Sequence, residues 1–218
     1  MNVNKYINIQ GNQLLIPNSD KLNNETESIV FFLHGYGANQ SDLVFMSDFQ
    51  PFNKSLCVFP QGFYKLDNPY QFESYSWGDI GNYENIKKSA ELLNSIINEF
   101  ISLNQFTRVP QISIVGFSQG GMLAQILAVN YLSKLHNLIL LSTLLPPVMH
   151  DYSGTYPPIN NIFVGHGTED NVIDQSNADL IFDYYKKYNY DVEIKKYLSS
   201  ALKPIPTVNA SLFSSNIN

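Results

Sequence analysis

The feature that most constrains the fold of this chain is its alternation of short apolar runs with longer amphipathic stretches. The run at 29–33, Ile-Val-Phe-Phe-Leu, is apolar throughout, which is typical of a strand covered on both faces. Between 82 and 103, by contrast, apolar residues recur every three to four positions and mark one face of an amphipathic helix. Because this order repeats along the chain, it predicts an α/β fold, a three-layer α/β/α sandwich around a mostly parallel sheet.

The remaining elements follow from the same two patterns. Further strands are predicted at 56–59, 112–115, 138–141, 162–164 and 192–197, and further helices at 120–131 and 174–188. Near the start of the chain, residues 5–9 and 13–16 flank the turn pair Gly11-Asn12, which predicts a hairpin. Residues 145–158 are rich in Pro, Gly and Tyr and lack periodicity, so we expect a loop over one end of the sheet.

Length and composition favour one domain. The chain has 218 residues, of which 44% are hydrophobic and 15% charged, so it can bury a substantial core. We assign residues 1–197 to a single domain. Residues 198–218 are an atypical C-terminal tail, because Lys203 is their only charged residue and they show neither helical nor strand periodicity.

Charge, cysteine content and hydropathy narrow the range of partners. The 13 basic and 19 acidic residues give a net charge of −6, which does not suit a nucleic-acid-binding surface. The single cysteine, Cys57, excludes an intramolecular disulfide and a cysteine-based zinc cage. No apolar run approaches the roughly 20 residues that span a bilayer, and residues 1–10 lack the apolar stretch of a signal peptide. We therefore expect a cytoplasmic protein without a transmembrane segment, either a monomer or a weak homodimer.

The sequence Gly-Phe-Ser-Gln-Gly at 116–120 lies between a predicted strand and a predicted helix. A direct turn from strand to helix holds the central residue, Ser118, at a strained positive φ and brings the residues on either side close together. A Cβ atom at 116 or 120 would clash there, which explains both glycines. The Ser118 hydroxyl is then expected at a helix N-terminus, whose dipole favours a developing anion. The alternative is a tight structural turn in which the serine has no catalytic role.

A serine nucleophile needs hydrogen-bond donors directed at the oxyanion that forms in the reaction. One donor is expected from the backbone N–H of Gln119, directly after the nucleophile. The loop His-Gly-Tyr-Gly at 34–37 follows the strand at 29–33, which makes the N–H of Tyr36 the second candidate. His34 itself has two interpretations, a catalytic base or a structural histidine that fixes the loop by hydrogen bonds, and we favour the structural one.

Five short motifs occur in an order that resembles a known family. They are FLHGYG at 32–37, FPQG at 59–62, SWGDI at 76–80, GFSQGG at 116–121 and HGTED at 166–170. The chain resembles the α/β-hydrolase superfamily and, within it, the phospholipase/carboxylesterase family that includes acyl-protein thioesterases. The resemblance implies a serine esterase that acts on carboxylic ester or thioester bonds, with lipids or acylated proteins among the candidate substrates, and with no cofactor and no metal. It also implies that the backbone amides of Tyr36 and Gln119 bind the oxyanion.

The same resemblance implies a shallow apolar groove for an acyl chain. Trp77, the only tryptophan, and Leu43 are the residues that we assign to this groove. For both residues, packing in the core is the alternative interpretation. Cys57 lies within a predicted buried strand and is expected to be inert.

The catalytic acid is predicted at Asp170, in the loop after the strand at 162–164. A carboxylate at the end of a strand can orient an imidazole and stabilise its charged form. The resembled family has its acid four residues after the His of a His-Gly pair, here His166, which we interpret as structural. Glu169 and Asp174 are the alternatives, although a solvated loop residue and a helix cap describe them better.

The catalytic histidine is the missing part of the pattern. The chain order of this fold is Ser, Asp, His, but the four histidines are His34, His136, His150 and His166, so that none follows position 166. Loss of one triad member typically costs on the order of 10⁶ in kcat. Three explanations stay open: the tail is foreign to the fold, His150 replaces the base, or the protein is non-catalytic or takes a histidine from a partner chain.

We therefore predict a serine hydrolase that cleaves carboxylic ester or thioester bonds through an acyl-enzyme at Ser118, with activity impaired by the missing histidine. The alternative function is a non-catalytic or truncated family member that binds an acyl ligand or a partner.

Overall fold

The computed structural model describes residues 4–67, 73–149 and 157–198. The strands in these ranges are β1 Lys5–Ile9, β2 Asn12–Ile16, β3 Ser28–Leu33, β4 Leu56–Pro60, β5 Tyr64–Leu66, β6 Ser74–Ser76, β7 Gln111–Phe117, β8 Leu135–Leu141, β9 Ile159–Gly167 and β10 Val192–Tyr197. The α-helices are α1 Tyr83–Asn104, α2 Gln119–Asn130 and α3 Ser176–Lys187.

Eight of these strands form one sheet, in the order β1-β2-β4-β3-β7-β8-β9-β10. Within this sheet, β4, β3, β7, β8 and β9 each pair parallel with the next strand in the order, which ends with β10. The first two pairings, β1 with β2 and β2 with β4, are antiparallel. The predicted α/β fold with a mostly parallel sheet is confirmed. Because parallel strands all end at the same edge of the sheet, the loops that follow β3, β7, β8 and β9 converge there.

The two faces of the sheet are covered differently in the part of the chain that the structure describes. Side chains alternate along each strand between the two faces of the sheet. Phe31 and the other buried side chains on its face pack against α1, α2 and α3. On the opposite face, Val30 and Phe32 pack into a second cluster with 3-10 turns at Val44–Asp48 and Phe52–Lys54. Buried apolar residues thus cover both faces, as the continuous apolar runs of the central strands predict.

Helix α1 matches its predicted amphipathic pattern. The side chain of Asn82 caps it by accepting a hydrogen bond from the Asn85 N–H at 3.3 Å, which satisfies one of the free donors of the first turn. The predicted apolar positions Ile86, Ala90 and Leu93 are fully buried. Packing of this face against α2 and the sheet, rather than helix propensity alone, stabilises the helix.

The structure corrects the predicted hairpin turn by one residue. Ile9 pairs with Asn12, so Gln10 and Gly11 are the two central residues, with φ of +52° and +77°. Both angles lie in the left-handed region that two-residue hairpin turns require. Asn12 begins β2 and donates from Nδ2 to the Gln10 carbonyl at 2.9 Å, so its side chain stabilises the turn from outside.

The predicted loop at 145–158 is described only at its two ends. It contains a 3-10 turn at Pro147–Met149, whereas His150 and residues 151–156 lie outside the described residues. The predicted tail also lies outside them, apart from Leu198, so the proposed domain boundary stays a prediction. None of the helices in the described ranges has the length and apolarity needed to cross a bilayer.

Candidate active site

Ser118 occupies a sharp turn between β7 and α2. Its φ of +52° and ψ of −118° lie in a region that residues with a Cβ atom rarely adopt. A Cβ on Gly116 would lie 2.5 Å from the Gly120 carbonyl oxygen, and one on Gly120 would lie 2.1 Å from the Leu33 carbonyl oxygen. Both distances are far below van der Waals contact, so both glycines are required at the positions where the sequence predicted them.

The backbone of this turn is fixed from three sides. The Ser118 N–H donates to the Leu141 carbonyl at 3.0 Å, which ties the turn to β8. The Ser118 carbonyl accepts from the Thr143 hydroxyl at 2.7 Å and from the Gly121 N–H at 2.9 Å. A Cβ on Gly121 would lie 2.6 Å from the Thr143 Cβ, so this glycine also lets Thr143 approach. The sequence interpretation did not include this role of Thr143.

The Ser118 side chain is partly exposed and lies beside the loop at 34–37. A Cβ on Gly35 would lie 3.4 Å from the Ser118 Cβ and 3.1 Å from the Phe117 ring. In the part of the chain that the structure describes, no hydrogen bond engages the Ser118 Oγ. The hydroxyl is therefore available to react.

The two predicted oxyanion donors are also unpaired within the described residues. Gln119 is the first residue of α2, where a helix leaves its N–H groups without an internal partner. The Tyr36 N–H makes no hydrogen bond either, although the next N–H along the loop, that of Gly37, donates to the Tyr75 carbonyl at 2.9 Å. Two backbone donors on the two sides of Ser118 are thus free to bind an anion.

His34 is a structural residue, as the sequence interpretation favoured. The residue is 1% exposed, and the Gly62 N–H donates to Nε2 at 3.0 Å. The ring proton therefore lies on Nδ1, which donates to the Gly35 carbonyl at 2.8 Å. Burial lowers the pKa of His34 to about 4, so the ring is neutral near pH 7. Both ring nitrogens form hydrogen bonds to backbone groups, so neither is free to act as a base.

Trp77 supports the same loop from within the core. Its indole is fully buried, lies 4.9 Å from the His34 ring and donates from Nε1 to the His34 carbonyl at 2.8 Å. Leu43 is 7% exposed and belongs to the core on the other face of the sheet. Core packing, the alternative that the sequence left open, describes both side chains here, and their role in an acyl groove stays a prediction.

The side chain of Gln119 makes contacts that the sequence interpretation missed. Although it begins a helix, Gln119 is buried, with only 6% of the residue exposed. Its Oε1 accepts from the Trp77 N–H at 2.9 Å and its Nε2 donates to the Gly78 carbonyl at 2.7 Å. These partners lie about 42 positions away along the chain, so no local sequence signal predicts them.

Asp170 lies in the loop after β9 with a side chain that is 1% exposed. Its Oδ1 accepts from the N–H groups of Val172 and Ile173, at 2.9 and 3.0 Å. Its Oδ2 lies 3.4 Å from the His166 Nε2 but has no hydrogen-bond partner. The His166 Nε2 instead donates to the Ile173 carbonyl at 2.9 Å, which is consistent with the structural role predicted for this histidine.

The two other acid candidates face solvent. Glu169 is exposed, and Asp174 lies just before α3, where its Oδ1 accepts from the Ser176 N–H at 2.8 Å. The hydrogen bonds of Ser176 lower the pKa of Asp174. Asp174 thus bonds the first N–H of α3 from one residue before the N-cap Gln175, which is close to the capping role that the spacing indicated. Among the three candidates only Asp170 presents a buried carboxylate.

Ser118 and Asp170 follow strands that lie two apart in the sheet. The register pairs Phe117 with Leu141, and Leu141 with Gly165, so β7, β8 and β9 end at the same edge. Neighbouring strands are separated by about 4.8 Å, which sets the scale of the separation at about 10 Å. An imidazole that bridges a serine and a carboxylate fits a span of this order.

The model of the phospholipase/carboxylesterase family matches residues 19–206 of the chain, which include all five motifs and every element from β3 to β10. The chain belongs to this family. The family's members include ester hydrolases, and membership supports an esterase or related hydrolase function with ester substrates. The matched region extends beyond residue 197, the predicted end of the domain. A search of the curated proteins finds no match.

Solved structures similar to this family member share its fold at low sequence identity. Esterase PE8 has a TM-score of 0.66 at 22% identity, over 83% of this chain and 87% of its own. The Bacillus cereus carboxylesterase has a TM-score of 0.65 at 18% identity, over 82% and 83%. A carboxylesterase from Mesorhizobium loti has a TM-score of 0.70 at 13% identity, over 98% and 97%. These similarities establish the α/β-hydrolase fold.

The histidine expected of a family hydrolase has no counterpart against Ser118 in the described residues. His34 and His166 are occupied with backbone partners, and His136 lies at the start of β8, at the opposite edge of the sheet. His150 lies outside the described residues. Within the described residues, the structure therefore places the predicted nucleophile, the predicted oxyanion donors and the buried carboxylate at one end of the sheet, without an imidazole between them.

Proposed function

We propose that this protein is a serine hydrolase that cleaves carboxylic ester or thioester bonds through an acyl-enzyme at Ser118. The proposal rests on the absence, in the described part of the chain, of hydrogen-bond partners for the Ser118 hydroxyl and the two N–H groups beside it. A hydroxyl on a strained turn has no hydrogen-bond partner among the described residues, and unpaired N–H groups of Tyr36 and Gln119 flank it. A buried structural serine would instead donate to a nearby acceptor.

The reaction begins when the Ser118 Oγ attacks the carbonyl carbon of the substrate and loses its proton to a base. The carbonyl oxygen becomes an oxyanion, which accepts hydrogen bonds from the N–H groups of Tyr36 and Gln119. The N-terminus of α2 adds a favourable dipole at the same point. Collapse of the intermediate expels the alcohol or thiol and leaves an ester on Ser118, which water then hydrolyses to the free acid.

The role of Asp170 in this reaction is to orient the base. Its Oδ1 is held by two backbone N–H groups, and its Oδ2 is a buried acceptor without a donor. An imidazole N–H bonded to Oδ2 would carry its second nitrogen toward Ser118. Residues 167–218 contain no histidine, so we expect this chain by itself to turn over slowly, with the oxyanion donors supplying most of its rate enhancement.

The missing base also favours particular substrates. Without an imidazolium to protonate the leaving group, the reaction depends on how well that group leaves as an anion. A thiolate leaves better than an alkoxide, because a thiol has a pKa of about 8.5 whereas water and alkyl alcohols lie near 16. We therefore propose thioesters as the preferred class over alkyl esters, with an acyl chain carried by a lipid or by a protein.

A second candidate function is the binding of an acyl ligand without turnover. The observation that favours it is that no histidine of the described residues is hydrogen-bonded to the Ser118 Oγ. In this case the free N–H groups of Tyr36 and Gln119 would bind a carbonyl or carboxylate oxygen of the ligand.

A fluorophosphonate probe, which phosphonylates activated serines, separates the two functions. We expect labelling of the folded chain at Ser118, identified by peptide mass, and its loss in Ser118→Ala. The matched control is Ser142→Ala, because Ser142 also has a positive φ, of +41°, at the end of the neighbouring strand. Labelling that stays unchanged in Ser118→Ala, or that is absent from the folded protein, would contradict the enzymatic proposal and favour the binding protein.

A further inference from the structure

We propose that the side chain of Gln119 is a positioning residue that holds the oxyanion loop at 34–37 in place through Trp77 and His34. The inference rests on the proposed function and adds a second role for Gln119, whose backbone N–H is one of the oxyanion donors. In this proposal, the buried amide of Gln119 links the nucleophile turn to residues 76–78, which are remote in sequence, and thereby keeps the site rigid.

The first link joins Gln119 to the segment at 76–78. The amide uses both of its ends, since Oε1 accepts from the Trp77 N–H and Nε2 donates to the Gly78 carbonyl. Burial of a primary amide is costly unless both ends are paired, so this geometry is strongly preferred over any in which one end is free. The segment also receives a bond from the Ser89 hydroxyl of α1 to the Trp77 carbonyl, at 2.6 Å.

The second link joins Trp77 to the oxyanion loop. The indole Nε1 donates to the His34 carbonyl at 2.8 Å, while the ring of His34 lies 4.9 Å from the indole. His34 in turn donates from Nδ1 to the Gly35 carbonyl. The carbonyl groups of His34 and Gly35 are therefore both fixed by hydrogen bonds. Because the Gly35 carbonyl and the Tyr36 N–H belong to one planar peptide group, the direction of this N–H is fixed as well.

The third link holds the far side of the loop. The Gly37 N–H donates to the Tyr75 carbonyl at 2.9 Å, the Tyr75 N–H donates to the Ala38 carbonyl at 2.8 Å, and the Ser74 hydroxyl donates to the Gly37 carbonyl at 2.7 Å. Residues 74–78 thus form hydrogen bonds to the loop both before and after Tyr36. The chain of contacts closes where Gly35 packs against Ser118, next to Gln119 itself.

The side chain of Gln119 has no other evident role. It does not cap its helix, because its partners belong to the segment at 76–78. It does not point at the reacting carbonyl, because both ends of its amide are occupied in the core. What it fixes is the distance between the two oxyanion donors, and a displacement of about 1 Å at such a site costs on the order of 10²-fold in rate.

The test compares Gln119→Met with Gln125→Met. Methionine matches the size of glutamine and preserves the backbone N–H, but removes both amide bonds. Gln125 is the matched control, since it lies on the same helix, is fully buried and donates to the carbonyls of Gly121 and Leu144, away from the oxyanion loop. Two quantities are measured for each variant: the second-order rate of fluorophosphonate labelling, and the hydrogen exchange of peptides that cover 34–40.

We expect Gln119→Met to label Ser118 about 10- to 100-fold more slowly than the wild type. We also expect its exchange at 34–40 to be about tenfold faster, while Gln125→Met leaves both unchanged. With a thioester substrate, kcat falls and KM is retained, because the oxyanion forms only after binding. If Gln119→Met does not fold, Trp77→Phe cuts the next link, the bond from Nε1 to His34, and should produce the same pattern.

Failure of this inference differs from failure of the proposed function. Wild-type labelling together with equal effects of Gln119→Met and Gln125→Met would overturn the positioning role and leave the serine chemistry intact. If the wild type does not label, hydrogen exchange decides alone: faster exchange only in Gln119→Met supports the positioning role, and equal exchange in both variants refutes it.

Discussion

The two halves of the candidate site differ in how completely their polar groups are paired. The nucleophile half, residues 33–37, 76–78 and 116–121, is held by hydrogen bonds at both ends of its buried amide and at both nitrogens of its buried imidazole, and among its described side-chain atoms only the Ser76 Oγ is buried without a partner. The acid half, residues 166–173, leaves the Asp170 Oδ2 and the His166 Nδ1 buried without a partner. The part proposed to bind an oxyanion is therefore more completely assembled in advance than the part proposed to move a proton.

The largest expected effect is a loss of stability caused by a change in the backbone turn of the nucleophile half. In Gly120→Ala, the new Cβ would lie 2.1 Å from the Leu33 carbonyl oxygen, a backbone atom that cannot move without displacing β3. We expect this variant to be insoluble, or destabilised by more than about 4 kcal/mol in urea unfolding.

The control for this prediction is Gly81→Ala. Gly81 has a φ of +79° but no neighbouring atom within 4 Å of a Cβ, so the change costs only about 1 kcal/mol of backbone strain. Equal unfolding midpoints for the two variants would show that the close approach at Gly120 is not what holds the turn.

The next effect is a loss of stability on acidification that originates in His34. Burial keeps the pKa of His34 at about 4 in the folded protein, whereas the unfolded chain takes up the proton near 6.5. The neutral ring therefore contributes stability above pH 6.5, and this contribution falls as the pH drops toward 4. The shift corresponds to about 3 kcal/mol across this window.

Urea unfolding at pH 7 and pH 4.5 measures this effect. We expect His34→Gln to be less stable than the wild type at pH 7 but to lose less stability on acidification. His136→Gln is the comparison variant: partial burial and Lys134 also lower the pKa of His136, but this histidine is less buried than His34, so we expect its removal to reduce the acid dependence by less than His34→Gln does. A His34→Gln curve parallel to the wild-type curve would contradict the assignment.

A smaller effect probes the acid half. If the unpaired Asp170 Oδ2 is the acceptor for the missing base, then free imidazole added to the protein should raise the rate of thioester hydrolysis by about tenfold or more. Ser118→Ala measures the background reaction of imidazole in solution, which is subtracted.

Two controls identify Asp170 as the acceptor. N-methylimidazole has no N–H to give to Oδ2, so it should not restore the rate. Asp170→Asn should also prevent rescue, because its amide oxygen can still accept from the N–H groups of Val172 and Ile173 while its NH₂ replaces the free acceptor. Equal rescue by both imidazoles would indicate simple base catalysis from solution.

The smallest effect tests the redundancy of the nucleophile half. Thr143→Val removes the hydroxyl that donates to the Ser118 carbonyl and preserves the side-chain shape. The Ser118 carbonyl retains its bonds from the N–H groups of Gly121 and Met122. We expect a loss of about 1 kcal/mol in unfolding free energy and a labelling rate within about twofold of the wild type. A larger loss of labelling would assign Thr143 a direct role in positioning Ser118.

The parts of the site that the sequence predicted are those that local geometry dictates. The positive φ of Ser118 and the glycines around it follow from a strand that turns directly into a helix. The bond from the first N–H of α3 to Asp174 follows from the spacing of this residue to the helix. Likewise, the central strands of the sheet are predicted by continuous apolar runs, although β7, β8 and β9 extend beyond these runs into residues whose side chains are polar or small.

The parts that the sequence did not predict depend on contacts between remote segments. The amide of Gln119 and its partners at 77 and 78 are brought together only by the tertiary fold. The two-stranded ribbon of β5 and β6 has three residues in each strand and no apolar run, so neither period nor composition marks it. The hairpin turn was misplaced by one residue because Asn12 is a common turn residue that here begins a strand instead.

The positive φ of Ser118 has a consequence for how the protein responds to mutation. The proposed nucleophile has backbone angles that residues with a Cβ atom rarely adopt, so the fold bears a cost for carrying it. Ser118→Gly should relieve that cost and raise the melting temperature while it abolishes labelling. Stability and the proposed reactivity are thus opposed at a single position, and selection for stability alone would tend to remove the proposed nucleophile first.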